Sequence, residues 1–439
     1  MYRYYIEDKN HVPPFNEPAS ELTIGTRPLK LHHAELITAV FGNDCELGGV
    51  MESTRQLGMV QGEAIVYRDN LWFDQEFLED FVKKARASKR ACQAAFSADD
   101  RAYHTYVVPL AQDIDYGIGP DGQPIYLLQL WYFPNGYTAD VMPVVIESED
   151  HEFGFYSVPD FMTMEQGDLT HFAPMRSVMS IESWVHVYFA SIIFGNFARA
   201  GRLDRRIEKS FFTSLHLLWR AIIEQKQILH ASGAVEIGRD CAIDPSAIIT
   251  GPAKIGNNVS IGAGVIIDNC TIGDNVTIDA GCMLFQSTVA NNCFLPFRAA
   301  LYMTALMENV IVAQNTCLQM CSIGRNSFIG AGSTFTDFNL LAQKPIRAAD
   351  RDGRLHEVGQ IVLGAGIGHN CRIGSGMVIF PGRMIESDVV LLASSQRRVI
   401  EYSVTYEESD HHFVSGGEVH KRFYPRLGER IEQIEEDTW

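Results

Sequence analysis

Residues 235–268 read VEIGRDCAIDPSAIITGPAKIGNNVSIGAGVIID, and in them Ile237, Ile243, Ile249, Ile255, Ile261 and Ile267 recur at every sixth position. After one five-residue step the series resumes at Ile272, Ile278 and Leu284. A second block, Ile311, Cys317, Ile323, Ile329 and Phe335, and a third, Ile361, Ile367, Ile373, Ile379 and Ile385, keep the same spacing. A helix buries a residue every three to four positions and an ordinary strand every second one, so a period of six belongs to neither alone. It fits a three-sided solenoid in which each face contributes one inward aliphatic and successive coils stack at about 4.8 Å. These positions fill about six coils, a prism roughly 30 Å tall. Glycine follows the inward residue at 238, 256, 262, 273, 324, 330, 368 and 374, where the missing Cβ is expected to ease each corner. Breaks are expected at 290–309 and 340–358, the second as a polar protruding loop.

At 439 residues the chain exceeds one compact core, and roughly 150 residues per domain suggests two or three domains. Hydrophobic residues at 46% and charged residues at 21% are globular proportions. Lys plus Arg number 36 against 54 Asp plus Glu, a net charge of −18 that repels phosphate backbones, so no nucleic-acid partner is expected. The longest apolar stretch, 184–198, is too short to span a bilayer and contains His186, so no membrane partner is expected either. The N-terminus carries no signal-peptide pattern, which makes a cytoplasmic location the expectation. Nine cysteines include no Cys-x-x-Cys pair, which argues against disulfides and structural zinc. Seven of them fall between 241 and 371, a sign that the repeat favours small apolar side chains.

Upstream of the repeat, residues 2–6, 64–67, 93–96, 105–110 and 125–132 are expected strands. Asp74 is expected to cap a helix whose inner face carries Phe77, Leu78, Phe81, Val82 and Ala85. Strands alternating with helices suggest a mainly parallel sheet with sites at strand ends. Helical stretches at 181–200 and 204–229 then lead into the repeat. The expected organisation is an α/β domain over 1–180, a helical connector over 181–230, the coil over 231–395 and a C-terminal extension over 396–439.

The six-residue repeat resembles that of the hexapeptide-repeat proteins, which implies a left-handed parallel β-helix and a homotrimer. Residues 21–33, ELTIGTRPLKLHH, hold Gly25-Thr26-Arg27 with Lys30 close behind. A glycine lets backbone amides approach phosphate, and Arg plus Lys neutralise charge that grows as pyrophosphate leaves; a plain turn with surface Arg and Lys has the same letters. Placed before the repeat, the triplet resembles the Gly-x-Gly-Thr-Arg loop of the sugar-1-phosphate nucleotidyltransferases, among them the bifunctional uridyltransferases that also acetylate. Thr23 stands in place of the first glycine. The resemblance implies an α/β nucleotidyltransferase-like domain with a nucleoside triphosphate and a sugar phosphate as partners. In it Gly25 and Thr26 bind substrate, and Arg27 and Lys30 stabilise charge. Residues 64–71, AIVYRDNL, resemble the family's strand that ends in a magnesium-binding aspartate, which makes Asp69 a ligand of Mg2+ and Asn196, by order along the chain, its second ligand. In the bifunctional relatives the coil acetylates with a histidine base before an Ile-Gly-Ala-Gly segment. Here Ile329–Gly332 is that segment, and Gln314, which takes no proton at neutral pH, falls at the base's position. His356 and His369 are the alternative acyl-transfer bases. Three readings stay open: nucleotidyl transfer with the coil serving assembly, a catalytically decayed scaffold, and acyl transfer.

Overall fold

The computed structural model describes residues 1–156, 169–224, 232–339, 344–414 and 420–429. The repeat folds into three parallel sheets of eight strands each. Face one begins at Val235–Ile237, face two at Ala242–Ile243 and face three at Ile248–Thr250. Aliphatics stack in register, Ile237 on Ile255, Ile243 on Ile261 and Ile249 on Ile267, and the last paired strand is Val399–Ile400. This is the expected left-handed parallel β-helix, with eight rungs per face in place of six.

The difference lies in the first expected break. Residues 290–309 continue the coil through Leu295, Leu301 and Leu306, all buried. Ile311 and Cys317, read as inward, are the outward neighbours of the buried Val312 and Leu318. Coils in this part have one shorter corner, so that Ile272, Val289, Leu306 and Ile323 stack directly on one another. Ile361 lies off the coil and packs against the amino-terminal core. The second break is a real excursion in which Arg347–Ala349 pairs antiparallel with Leu355–Glu357; residues 340–343 of it lie outside the described residues.

Two corner devices set the stacking. Asn258, Asn275, Asn292, Asn309 and Asn326 occupy one corner at positive φ, a conformation that asparagine adopts more readily than bulky side chains. The Nδ2 of each donates to the Oδ1 of the next at 2.9–3.1 Å. The glycines serve close approach rather than the turn itself: a Cβ on Gly330 would lie 2.5 Å from backbone atoms of Gly374 and Ser375. The cysteine clustering has a similar origin. Cys270, Cys282, Cys293, Cys321 and Cys371 each stand two positions before an inward aliphatic and are buried in the coil core.

The amino-terminal part is built on a seven-stranded sheet. Its strands are β1 Tyr2–Ile6, β2 Glu46–Met51, β3 Ala64–Arg68, β4 Ala91–Ser97, β5 Asp115–Ile118, β6 Pro124–Phe133 and β7 Val141–Ile146. The order is β7-β4-β6-β3-β1-β2, with β5 beside β6. Strand β1 is parallel to β2 and β3, and β7 to β4, whereas β6 runs antiparallel to β3, β4 and β5. The sheet is therefore mixed, not mainly parallel. Helix α1 spans Leu29–Phe41, and the expected helix forms as α2, Gln75–Ser88. Asp74 Oδ1 accepts the Phe77 N–H at 2.8 Å, and Phe77, Leu78, Phe81, Val82 and Ala85 are buried. The expected strand at 105–110 is absent: α3, Arg101–Tyr106, runs into it, and Tyr103, Tyr106, Val107 and Leu110 are buried at helical spacing.

Helix α4, Trp184–Ser191, passes through a π-helical turn, Ile192–Phe197, into α5, Ala198–Lys209, and α6, Phe211–Glu224, follows. Residues 225–230 of the expected connector lie outside the described residues, as do 415–419 and 430–439 of the extension. Helix α4 lies so close on face one that a Cβ at Gly366 would be 2.6 Å from the Trp184 ring. Among the described residues no helix is long and apolar enough to cross a membrane.

Candidate functional site

The segment that carries Gly25-Thr26-Arg27 is a tight hairpin, Thr23–Ile24 against Arg27–Pro28. Gly25 sits at φ 69°, and nothing lies within 4 Å of where a Cβ would stand. The position therefore favours glycine for its backbone, and it leaves the turn open. Thr23, at the family's glycine position, is buried, and its hydroxyl donates to Glu308 Oε2 of the coil at 2.6 Å. The Gly25 N–H donates to Ser191 Oγ at 3.1 Å, which fixes the turn to the end of α4.

Directly after that contact, the π-helical turn brings Gly195 and Asn196 to the same place. Such turns displace one residue from the regular helical ladder and re-aim its neighbours. Asn196 is buried; its Nδ2 donates to the Gln286 carbonyl at 3.1 Å and to Thr288 Oγ1 at 3.2 Å, and its Oδ1 accepts the Thr271 hydroxyl at 2.7 Å. Arg199, three residues on, also reaches Thr271. Between hairpin, π turn and face one lies a cleft of 370 Å3, lined among others by Gly25, Thr26, Arg27, Asn196, Arg199 and Lys254.

The fold thus gathers four of the sequence-predicted residues, Gly25, Thr26, Arg27 and Asn196, in one cleft. Lys30 and Asp69 are not among its lining residues. Lys30 Nζ contacts Glu21 at 2.6 Å, and Arg27 pairs with Glu35; all four side chains are well exposed. Asp69 follows β3, its N–H on the Ile6 carbonyl at 3.0 Å and its Oδ1 accepting the Asp8 N–H at 2.8 Å. Burial, reinforced by the charge of Asp8, pushes its pKa up to about 6. Asp69 is held against the end of β1, while both ends of the Asn196 amide are committed to the coil and α5, so the two do not fit a shared magnesium ion. Among the described residues no group of three or more His, Cys, Asp or Glu is placed to hold a metal.

The two alternative bases differ. His369 is fully buried, its Nδ1 accepting the Arg325 N–H at 2.9 Å and its Nε2 3.3 Å from Glu17 Oε2, with the ring against Phe15 and Tyr424. Burial holds its pKa below the usual histidine range. His356 is half-exposed on the 347–357 hairpin, its Nε2 2.8 Å from Asp350 Oδ2. Sequence reasoning missed Arg199 and Lys254. The signals were present: Arg199 follows Asn196 by one helical turn, and Lys254 precedes the inward Ile255, so it projects outward from face one.

The bacterial transferase hexapeptide (six repeats) family model matches residues 234–269. Over 39 residues the chain is 51% identical to the bifunctional protein GlmU of Francisella philomiragia, a stretch that is 9% of this chain and 9% of that protein. Among solved structures, a UDP-N-acetylglucosamine acyltransferase from Campylobacter jejuni is 19% identical at a TM-score of 0.23, covering 33% of this chain and 62% of that one. A Bacillus cereus protein described as an acetyltransferase is 18% identical at a TM-score of 0.20, covering 33% and 76%. Likenesses at that level leave the chemistry to be argued from the site itself. The carboxy-terminal coil of this chain is a left-handed parallel β-helix, and its first rungs, residues 234–269, are the stretch similar to the bacterial transferase hexapeptide repeats.

Proposed function

We propose that the protein is a sugar-1-phosphate nucleotidyltransferase-type hexapeptide-repeat protein that takes a sugar phosphate and a nucleoside triphosphate in the cleft at Gly25–Arg27, with the coil assembling it as a homotrimer. The observation that supports this reading is the convergence of the Gly25-Thr26-Arg27 hairpin and Asn196 on one 370 Å3 cleft that also holds Arg199 and Lys254. The chain as a whole is strongly acidic, whereas this cleft sets Arg27, Arg199 and Lys254 against only Glu35 and Asp274, so a phosphorylated ligand is attracted there. The open backbone at Gly25 admits a phosphate, and Arg27 exchanges Glu35 for its oxygens and stabilises the charge that develops as pyrophosphate leaves. Lys30, held by Glu21, flanks the loop, whereas Asp69, held by the Asp8 N–H, stands outside the cleft. Pyrophosphate release over a panel of nucleoside triphosphates and sugar 1-phosphates, with magnesium in the buffer, is the test. One pair should react, and Arg27→Ala should lower kcat/KM at least about tenfold. No release with any pair sinks this reading in favour of the decayed scaffold.

A second reading has one observation in its favour. The His356–Asp350 pair is the arrangement of a carboxylate-oriented base, and Asp350 to Gly353 line a separate cleft of 590 Å3. Acyl-CoA consumption that disappears in His356→Ala would support acyl transfer there. His369, sealed from solvent, serves as its control.

A further inference from the structure

Arg199 is the cation of the cleft whose contacts are all neutral. Its guanidinium reaches the Thr271 hydroxyl, the Pro252 carbonyl at 3.0 Å, and Asn196 Oδ1 and Asn269 Oδ1 at 3.3 Å each. Its Nε is buried and has no hydrogen-bond partner. Lys254 stands beside it: Thr271, which Arg199 grips, is the register partner of Lys254 on the next coil, and both project from face one. Neither cation forms an ion pair among the described residues. The charged groups around them offset them only in part, Glu236 raising the Arg199 pKa through its charge. Glu236, in register with Lys254 on the preceding coil, is exposed. Arg202, one turn along α5, is paired with Asp74 at 3.0 Å, Arg27 with Glu35, and Asp274 Oδ1 accepts the Asn257 N–H at 2.6 Å. Burial lowers the Arg199 pKa only to about 10, so it stays cationic at neutral pH. Two neighbouring cations with only the exposed Glu236 acting on them as a counter-charge, one of them with an unpartnered buried donor, form a partial deficit that an anion removes.

We propose that Arg199 and Lys254 form a phosphoryl subsite on the coil side of the cleft, so that face one of the β-helix itself holds the ligand. This deepens the reading above and rests on it for the identity of the ligand as a sugar phosphate or nucleotide. The anion itself is tested independently. Arg199 offers Nε–H and Lys254 its ammonium, while the neutral oxygens behind the guanidinium hold it in position.

The experiment is isothermal titration of the full chain with inorganic phosphate, pyrophosphate and a hexose 1-phosphate. Binding of at least one is expected, weakened about tenfold in Lys254→Ala with an unchanged melting temperature, because Lys254 is exposed. Arg199→Met should abolish binding and Arg199→Lys should restore part of it. If Arg199→Met does not fold, Lys254→Glu on the surface keeps the test and should abolish binding. A wild-type chain that binds none of the three, or binds them equally well in Lys254→Ala and Lys254→Glu, overturns the subsite and leaves Arg199 as a pin between α5 and the coil. Preference for the hexose 1-phosphate over free phosphate identifies a phosphorylated sugar as the source, and the reverse order identifies free phosphate. Anion binding through these two residues without pyrophosphate release from any substrate pair would end the nucleotidyl-transfer reading alone. Release that ignores Lys254→Glu would end the subsite alone.

Discussion

At the scale of single residues, two buried carboxylates give opposite expectations. Asp74 accepts the N–H groups of Phe77 and Ser177 at 2.8 and 3.0 Å and pairs with Arg202 at 3.0 Å. Asp74→Ala therefore removes a helix cap and leaves buried donors unmet, and chemical denaturation should show a loss of about 2 kcal/mol or more. Glu182 is satisfied only on one side: Oε2 accepts the Gln112 N–H at 2.8 Å, while Oε1 is buried without a partner. Burial pushes its pKa from 4.5 up to about 7. Because the folded chain holds this proton more tightly than the unfolded one, the stabilisation is complete below pH 4.5 and is lost as pH rises through 7. Relative to wild type, Glu182→Gln should gain roughly 3 kcal/mol between acidic and mildly alkaline pH, measured by urea unfolding at both ends. A pH-independent difference would refute the assignment. The Asp74 cap was readable because capping is local, and so was the open glycine of the Gly25–Arg27 turn. The engagement of Lys30 by Glu21 was not, since it depends on how the hairpin folds α1 back on the residues just before it, and the gathering of Arg199 with Lys254 was not, since it follows from packing between segments far apart in the chain.

At the scale of elements, the coil was legible because one large aliphatic per face must point inward, and the isoleucines mark it. The stretch 290–309 was hidden because its inward residues are leucines and each coil there carries one five-residue step, and counting the step from Leu318 to Ile323 as six shifts the frame onto Ile311 and Cys317. The asparagines at 258, 275, 292, 309 and 326 carried the true coil length throughout. Two experiments check the corrected frame. Leu306→Ala, in the stretch expected as a break in the repeat, should cost about 2–5 kcal/mol, where a position off the coil core would lose little. Gly330→Ala should disrupt stacking, since its Cβ would meet the next rung's backbone at 2.5 Å; Gly332→Ala, at φ 69° with open space around it, should cost only about 1–2 kcal/mol of backbone strain. Equal melting temperatures for the two would contradict the stacking argument. In the amino-terminal part, local periodicity located α2 but turned α3 into a strand, because a helix of six residues is too short to show its period.

At the scale of the whole molecule, the three faces of the coil have different neighbours. Face one is occupied by α4 and the π turn through Trp184, Asn196 and Arg199. Face three is touched by the amino-terminal part, the Tyr302 hydroxyl donating to the Phe155 carbonyl at 2.8 Å. Face two presents Phe294, Ile311 and Phe328, stacked in register and 41%, 38% and 37% exposed. An apolar ladder of this kind on a flat sheet favours contact with other chains, which makes face two the expected seam of the proposed homotrimer. Light scattering at micromolar concentration should report a trimer for wild type and a monomer for Phe328→Glu with an unchanged circular-dichroism spectrum. A monomeric wild type defeats the assignment. The cleft adds a condition that separates assembly from binding. Its lining comes from the hairpin, the connector helices and face one of a single chain, so the Phe328→Glu monomer should bind phosphate or a hexose 1-phosphate as tightly as the trimer. A loss of affinity that tracks dissociation would mean instead that a neighbouring subunit completes the site.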